Sequence, residues 1–284
     1  MVSAADPLVT DPPAGLAPAA STPAVAFDSG GVSLLGVLHV PAGPGPHPVV
    51  VLTHGFPGNE RNFDVAQSLR RAGYAALVFH YRGSWGVGGT YSWANVLADT
   101  AAAVAFVRDP ASAQRYRLDS DRVVLVGHSF GGFAALMTAA ADPSIAAVAS
   151  AAAFDSGAGA AACRRSSADR QAYVEAFEAE LLPLRGTSGE ALVAEMEAAG
   201  EDWSLAALAG RLATRPVLLI GTGHDTVTPA PMHYEPVLAA YRAHPVERLE
   251  HHLFPTDHAL SDHRVALTRT ILAFLTTHFT KPTD

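Results

Sequence analysis

Arg122-Val123-Val124-Leu125-Val126-Gly127-His128-Ser129-Phe130-Gly131-Gly132-Phe133-Ala134-Ala135-Leu136 reads as two elements joined by a turn of almost no length. Its first part is a short apolar run rich in β-branched residues, the pattern of a strand buried on both faces. In its second part Phe133, Leu136 and then Met137 sit among alanines, the pattern of a helix with one apolar face. Gly127 and Gly131 remove side chains where the two backbones meet, and Gly132 lets the helix settle onto the sheet. Such a turn holds Ser129 in strained geometry with its hydroxyl pushed out of the sheet, as a nucleophile elbow does.

A serine hydroxyl near neutral pH needs a base in hydrogen-bond reach, and that base needs a carboxylate to fix its tautomer. Asp225 follows the apolar run Val217-Leu218-Leu219-Ile220, where a strand end presents a side chain to the ligand side of a sheet. A helix cap is the plainer use for Asp225, but Thr228 before Pro229 suits that role better. Asp155, after the preceding strand, is the lesser candidate for the acid. Of the 13 histidines, His258 lies between the last strand and the last helix, C-terminal to both other members. His263 reads as the start of the closing helix, and His251 and His252 lie within a strand; Asp257 reads as a turn residue. Charge developing on a carbonyl oxygen calls for two preorganised N–H donors. Phe130 supplies one and the loop His54-Gly55-Phe56-Pro57-Gly58 the other; Pro57 has no N–H, which leaves Phe56.

The rest of the chain supplies the setting. A hairpin is expected from Val25–Asp28 and Val32–Val40, with strands at 48–53, 74–81, 145–154, 216–221 and 247–254. Helices are expected at 62–72, with Phe63, Ala66 and Leu69 on one face, and at 93–107, 231–242 and 263–279. Strands alternating with helices imply a mostly parallel sheet with helices on both faces. Between residues 155 and 213 the alternation stops, leaving helical patterns at 168–182, 189–199 and 205–213. An insertion there reads as a lid over the carboxyl ends of the strands, with plain crossover helices as the alternative. The expected domains are a flexible tail at 1–22, a core at 23–154 and 214–284, and a helical lid at 155–213.

Composition narrows the function classes. Hydrophobic residues make up 49% and charged residues 16%, against about 25% charged in an average globular chain, so the chain folds rather than staying disordered. The net charge of −8, with Lys281 the only lysine, argues against nucleic acid as a partner. Cys163, the single cysteine, stands before Arg164-Arg165 without a nucleophile signature and permits no internal disulfide. No apolar run reaches membrane-spanning length, and the first 22 residues lack the charge and core of a signal peptide. A cytoplasmic location is therefore expected, although a secretion signal already removed would leave the same sequence. The histidines show no metal-binding spacing, and Gly86-Val87-Gly88-Gly89 opens no helix, so neither metal nor nucleotide cofactor is expected. Trp85, Tyr91, Trp93 and Trp203 are weak candidates for substrate contacts, because most such aromatics serve the core.

These residues resemble the α/β-hydrolase family of serine hydrolases over about residues 24 to 280. Ser129, Asp225 and His258 match its nucleophile, acid and base in order and context, and His54–Gly58 resembles its oxyanion loop. The run His80-Tyr81-Arg82-Gly83 to Gly88-Gly89 resembles the esterase and prolyl-oligopeptidase-like branch, and the short insertion resembles that of feruloyl esterases. Two departures stand out. The chain is too short for the N-terminal propeller of the branch's peptidases, and no acidic residue follows Tyr81 in the usual place. The resemblance implies an α/β-hydrolase fold and a small-molecule ester as substrate. A peptidase or amidase using the same groups is the alternative, and a binding protein without activity is the third reading. A homodimer is left open.

Overall fold

A computed structural model describes residues 6–279. The chain opens with a hairpin, β1 (Ala24–Ser29) and β2 (Val32–His39), paired antiparallel across Gly30 and Gly31, which turn at φ 58° and 78°. There follow β3 (His47–Thr53), α1 (Phe63–Arg71), β4 (Ala75–Phe79), α2 (Trp93–Arg108) and α3 (Pro110–Tyr116). The central elements are β5 (Leu118–His128), α4 (Phe130–Ala141) and β6 (Ala147–Ala151). The insertion comprises α5 (Ser156–Arg165), α6 (Ser167–Ala179), α7 (Gly189–Ala199) and α8 (Ala209–Leu212), with short 3-10 turns before α8. Then come β7 (Pro216–Thr222), α9 (Ala230–His233), α10 (Glu235–Ala243), β8 (Arg248–Phe254) and α11 (Arg264–Phe279). Among the described residues no helix is long and apolar enough to cross a membrane.

The strands form one sheet in the order β1-β2-β4-β3-β5-β6-β7-β8, parallel from β4 to β8. From β3 the chain first winds outward to β4, then crosses back to place β5 on the other side of β3. The strand order therefore reverses between β3 and β5, which opens a ligand crevice beyond their carboxyl ends. Register puts Thr53, the last residue of β3, beside Gly127, so the loops that follow both strands start as neighbours. Alternation along these strands feeds two cores. Val49, Val51, Val123 and Leu125 pack with α2, α4 and α10. Val50, Leu52, Val124 and Val126 pack with α1 and α11 through Val65, Leu69, Ile271 and Leu275.

Several boundaries differ from the expectation, each for a local reason. Phe63 does not join the apolar face of α1; it is the first residue of that helix, stays 40% exposed, and lies 5.8 Å from the Arg61 guanidinium, while Val65 turns inward instead. The helix expected at 231–242 is broken at Tyr234, because Pro236 is tolerated only in the first turn of a new helix. The pattern at 205–213 is one 3-10 turn, Ala206–Leu208, followed by one turn of α8. Helices α3 and α5 were not expected at all. Of the stretch expected as a tail, residues 1–5 lie outside the described residues. Of residues 6–22, Asp6 pairs with Arg269 at 3.1 Å and Ser21 bridges to Val40, while residues 9–22 are exposed.

The glycine-rich loop at 82–89 is anchored by one carboxylate. Asp99 on α2, with its side chain fully buried, accepts from Ser29 Oγ at 2.6 Å, from Arg82 N at 2.7 Å and from Arg82 Nε at 2.6 Å. A buried charge is tolerated only when so many donors meet it. That node joins the hairpin, the loop and α2.

Candidate active site

Ser129 stands alone between β5 and α4 at φ 57°, ψ −125°, a conformation that costs a non-glycine residue about 1–3 kcal/mol. The glycines around it are required sterically. A side chain at Gly127 would collide with the Gly131 carbonyl and come within 2.6 Å of Thr53 Oγ1; one at Gly131 would strike the backbone of Thr53 and His54. Gly132 lies over Ala153, where an added Cβ would stand 3.0 Å from the alanine's own. The turn is pinned by Ser129 N donating to the Ala151 carbonyl at 2.9 Å and by Thr53 Oγ1 donating to the Gly131 carbonyl at 2.8 Å. Ser129 Oγ makes none of the hydrogen bonds formed among the described residues, and Ser129 lines a cavity beside the elbow.

Asp225 and His258 come together across the ends of β7 and β8, with His258 Nδ1 2.7 Å from Asp225 Oδ2. The carboxylate is saturated. Oδ2 also accepts from Thr222 Oγ1 and Thr228 Oγ1, each at 2.7 Å, and Oδ1 from the N–H groups of Val227 and Thr228 at 2.7 and 2.8 Å. Burial alone would raise the Asp225 pKa. The His258 contact and the Thr228 donors outweigh it and hold the carboxyl well below the usual carboxylate range. Thr228, expected to cap the following helix, instead braces the acid, and Pro229 occupies the cap position. Thr222 and Thr228 went unread as supporting residues, although a threonine three residues either side of a loop aspartate is a signal for such a brace.

The rival residues have other partners. Asp155 caps α5 through Ala158 N at 3.1 Å and also accepts from Leu205 N at 3.3 Å. Asp257 closes the His258 turn by accepting from Ser261 N at 2.8 Å. His263 pairs with Asp262, and His251 lies 2.6 Å from an Arg242 nitrogen. Among the described residues no group of three or more His, Cys, Asp or Glu side chains could hold a metal ion.

The loop after β3 passes directly over the serine, since a Cβ at Gly55 would lie 2.7 Å from Ser129 Cβ and 3.2 Å from Oγ. Its backbone is held by Tyr81 OH donating to the His54 carbonyl at 2.9 Å and Trp85 Nε1 donating to the Pro57 carbonyl at 2.8 Å. Phe56 follows Gly55 in that loop. Phe130 is the first residue of α4, so its N–H has no partner within the helix.

Beside Ser129 lies a cavity of about 520 Å³ walled by Phe56, Trp93, Phe130, Phe154, Tyr173 and Phe177, with Met232 and Val227 at one side. Of the four aromatic candidates only Trp93 lines it, fully buried and stacked on Phe130 at 3.8 Å. Tyr91 is buried behind Trp93, Trp203 packs edge-on to Phe133, and Trp85 braces the loop from a separate cleft. Trp85, Tyr91 and Trp203 thus lie outside the lining of this cavity. Phe154, Tyr173 and Phe177 were missed as lining residues. The spacing of Tyr173 and Phe177 marks a helix face but does not say what that face meets.

Burial also holds several histidines neutral, His54, His128 and His233 near the site and His39 at the opposite end of the sheet. The pKa of His54 and His128 is pushed down to about 3, and that of His39, His80 and His233 to about 4, in each case chiefly by loss of solvent. In the unfolded chain each would take a proton near about pH 6.5. Folded-state values below the unfolded one mean that stability is full above about pH 6.5 and withdrawn as pH falls toward 4, by up to about 1.4 kcal/mol per pH unit per histidine. The melting temperature is expected to drop steadily over that window; a flat profile from pH 7 to about 4.5 would contradict the buried neutral state.

A family profile described as the Alpha/beta hydrolase family matches residues 50–270. The curated relative Quorum-quenching protein AidA of Acinetobacter baumannii (strain MDR-ZJ06) is 36% identical over 139 residues, covering 47% of this chain and 44% of the relative. The chain thus matches less than half of that relative's length. Among solved structures, the alpha/beta hydrolase GrgF from Penicillium sp. sh18 superposes with a TM-score of 0.67 at 19% identity, over 91% of this chain and 99% of that one. Est1E from Butyrivibrio proteoclasticus gives 0.64 at 18% identity, over 91% and 99%. The acylaminoacyl peptidase of Pyrococcus horikoshii gives 0.66 at 15% identity, over 94% of this chain and 43% of that one. With the profile running from β3 into α11 and the same fold in these solved structures, the chain belongs to the alpha/beta hydrolase family.

Proposed function

We propose that this chain is a serine hydrolase that cleaves carboxylic esters through an acyl-enzyme. The observation that carries the reading is the 2.7 Å contact between His258 Nδ1 and Asp225 Oδ2. It engages Nδ1–H and leaves Nε2 as the lone-pair nitrogen available to a serine. Ser129 Oγ attacks the carbonyl carbon as His258 Nε2 takes its proton. The N–H groups of Phe130 and Phe56 receive the oxyanion, and collapse expels the alcohol with the proton returned by His258. Water then repeats the sequence on the acyl-enzyme and frees the acid. The Ser129–His258 hydrogen bond that this step needs is not formed in the free chain and would form as substrate excludes solvent, since catalytic hydrogen bonds often tighten only in the complex.

The aromatic cavity suits an apolar acyl group. Helices α5 and α6 wall it through Ala162, Asp169, Tyr173 and Phe177, which favours reading the segment 155–213 as a lid over mere crossover helices. One observation favours the peptidase or amidase alternative: Asp169 is the one charged side chain lining the cavity among the described residues, and it could receive a substrate ammonium. A panel of nitrophenyl esters and aminoacyl nitroanilides separates the two. Turnover of esters with a fluorophosphonate adduct on Ser129, lost in His258→Ala, is the expected result. Turnover of anilides alone would replace the esterase with the amidase, and absence of the adduct would reject a serine mechanism.

A further inference from the structure

His128 is the residue immediately before Ser129 and does not line the cavity beside it. It is 6% exposed, lies with Leu52, Val126 and Ile271 beneath the elbow, and brings Nε2 within 2.7 Å of the His258 carbonyl oxygen. A carbonyl can only accept, so Nε2 carries the proton and donates. Nδ1, the other ring nitrogen, is buried with no partner and keeps its lone pair. The two imidazole rings sit 4.9 Å apart at 47°.

We propose that His128 is a positioning residue for the base: its Nε2–H ties the His258 backbone to the strand that carries Ser129, and so fixes the reach of the His258 ring to the serine hydroxyl. The proposal rests on the assignment of His258 as the base. The remaining contacts of this turn lead elsewhere. Leu260 sits at φ 55°, the Asp257 carbonyl accepts from Leu260 N at 3.1 Å, and Arg264 donates to the Ala259 carbonyl at 3.2 Å. These shape the turn and join it to α11, whereas the His128 contact couples base and nucleophile through two adjacent residues. Neutrality is part of the device. Burial keeps His128 uncharged at working pH, so it does not repel the imidazolium that His258 becomes when it takes the serine proton.

The test compares wild type, His128→Phe and His128→Gln on one nitrophenyl ester, with melting temperatures and a Ser129→Ala control. Phenylalanine keeps the ring and loses the donor, whereas glutamine returns an N–H near the Nε2 position. In His128→Phe, kcat is expected to fall about 10- to 100-fold with KM changed less than about twofold, the cost of about 1 Å of misplacement, and His128→Gln is expected to recover most of it. A merely structural role would lower the melting temperature in both variants without that rescue. A second measurement needs no variant: ¹⁵N-histidine spectra of the wild type are expected to show His128 as the Nε2–H tautomer, not titrating down to about pH 5. Wild-type kcat in His128→Phe, loss of kcat in a folded His128→Gln equal to that in His128→Phe, or the Nδ1–H tautomer would each overturn the proposal. If Ser129→Ala is inactive while His128→Phe is unimpaired, only the positioning role fails; activity in Ser129→Ala would remove the base assignment and this role with it.

Discussion

Ser129→Ala is expected to lower kcat toward an activated ester by about 10⁴- to 10⁶-fold, the loss seen when the nucleophile of such a constellation is removed. The substitution isolates chemistry unusually well. Ser129 Oγ makes no hydrogen bond among the described residues, so its loss leaves no buried group unpaired. Alanine must adopt the same φ of 57°, so the strain of the elbow is unchanged. The Cβ that lies against Gly55 remains as well. The melting temperature should therefore stay within about a degree or two while activity disappears, since a change of 1 kcal/mol shifts a domain of this size by about 2–4 °C. The residual rate should still exceed that of water, because the cavity and the proposed oxyanion donors, the Phe56 and Phe130 N–H groups, remain. Activity retained within about tenfold would mean that the serine is not the nucleophile.

The parts of the site that can be read from sequence are those whose chemistry is local. The glycines at 127 and 131 follow from steric exclusion within a few residues, and a strand end announces itself by the apolar run before it. Asp225 and His258 belong to this group, since each sits in the loop directly after a strand. The cavity wall does not, because Phe177 meets Phe56 and Trp93, and Tyr173 and Phe177 meet Phe154, only after the insertion folds over the sheet. Helix α5 is hidden for a related reason. Gly157 and Gly159 look like helix breakers, yet they are there for close packing: added Cβ atoms would stand 2.7 Å from Ser204 Cα and 2.9 Å from Met196 Sδ. Tertiary contact thus overrides propensity along this helix. The indole of Trp85 illustrates the limit for aromatics, since composition cannot say whether an N–H meets a substrate or the Pro57 carbonyl.

Asp225→Asn is expected to lower kcat by about 10⁴-fold near neutral pH while leaving the fold intact. The reason lies in which atoms the five donors demand. The backbone N–H groups of Val227 and Thr228 are fixed and point at Oδ1, so the amide oxygen of asparagine must take that place. Its NH₂ then occupies the Oδ2 position. The Thr222 hydroxyl can rotate to accept one of its two hydrogens while Thr228 turns its own hydroxyl to the Ala152 carbonyl, which leaves the second N–H facing His258. His258 cannot accommodate it so cheaply. Facing a donor, Nδ1 must become an acceptor, and the ring's proton moves to Nε2, which removes the lone pair that Ser129 requires. ¹⁵N-histidine spectra should show His258 changing from the Nδ1–H to the Nε2–H tautomer on substitution. The contrast is Asp155→Asn, whose carboxylate serves α5 and Leu205, so it should keep kcat within a fewfold of wild type. Should Asp155→Asn abolish turnover while Asp225→Asn retains it, the acid has been assigned to the wrong strand.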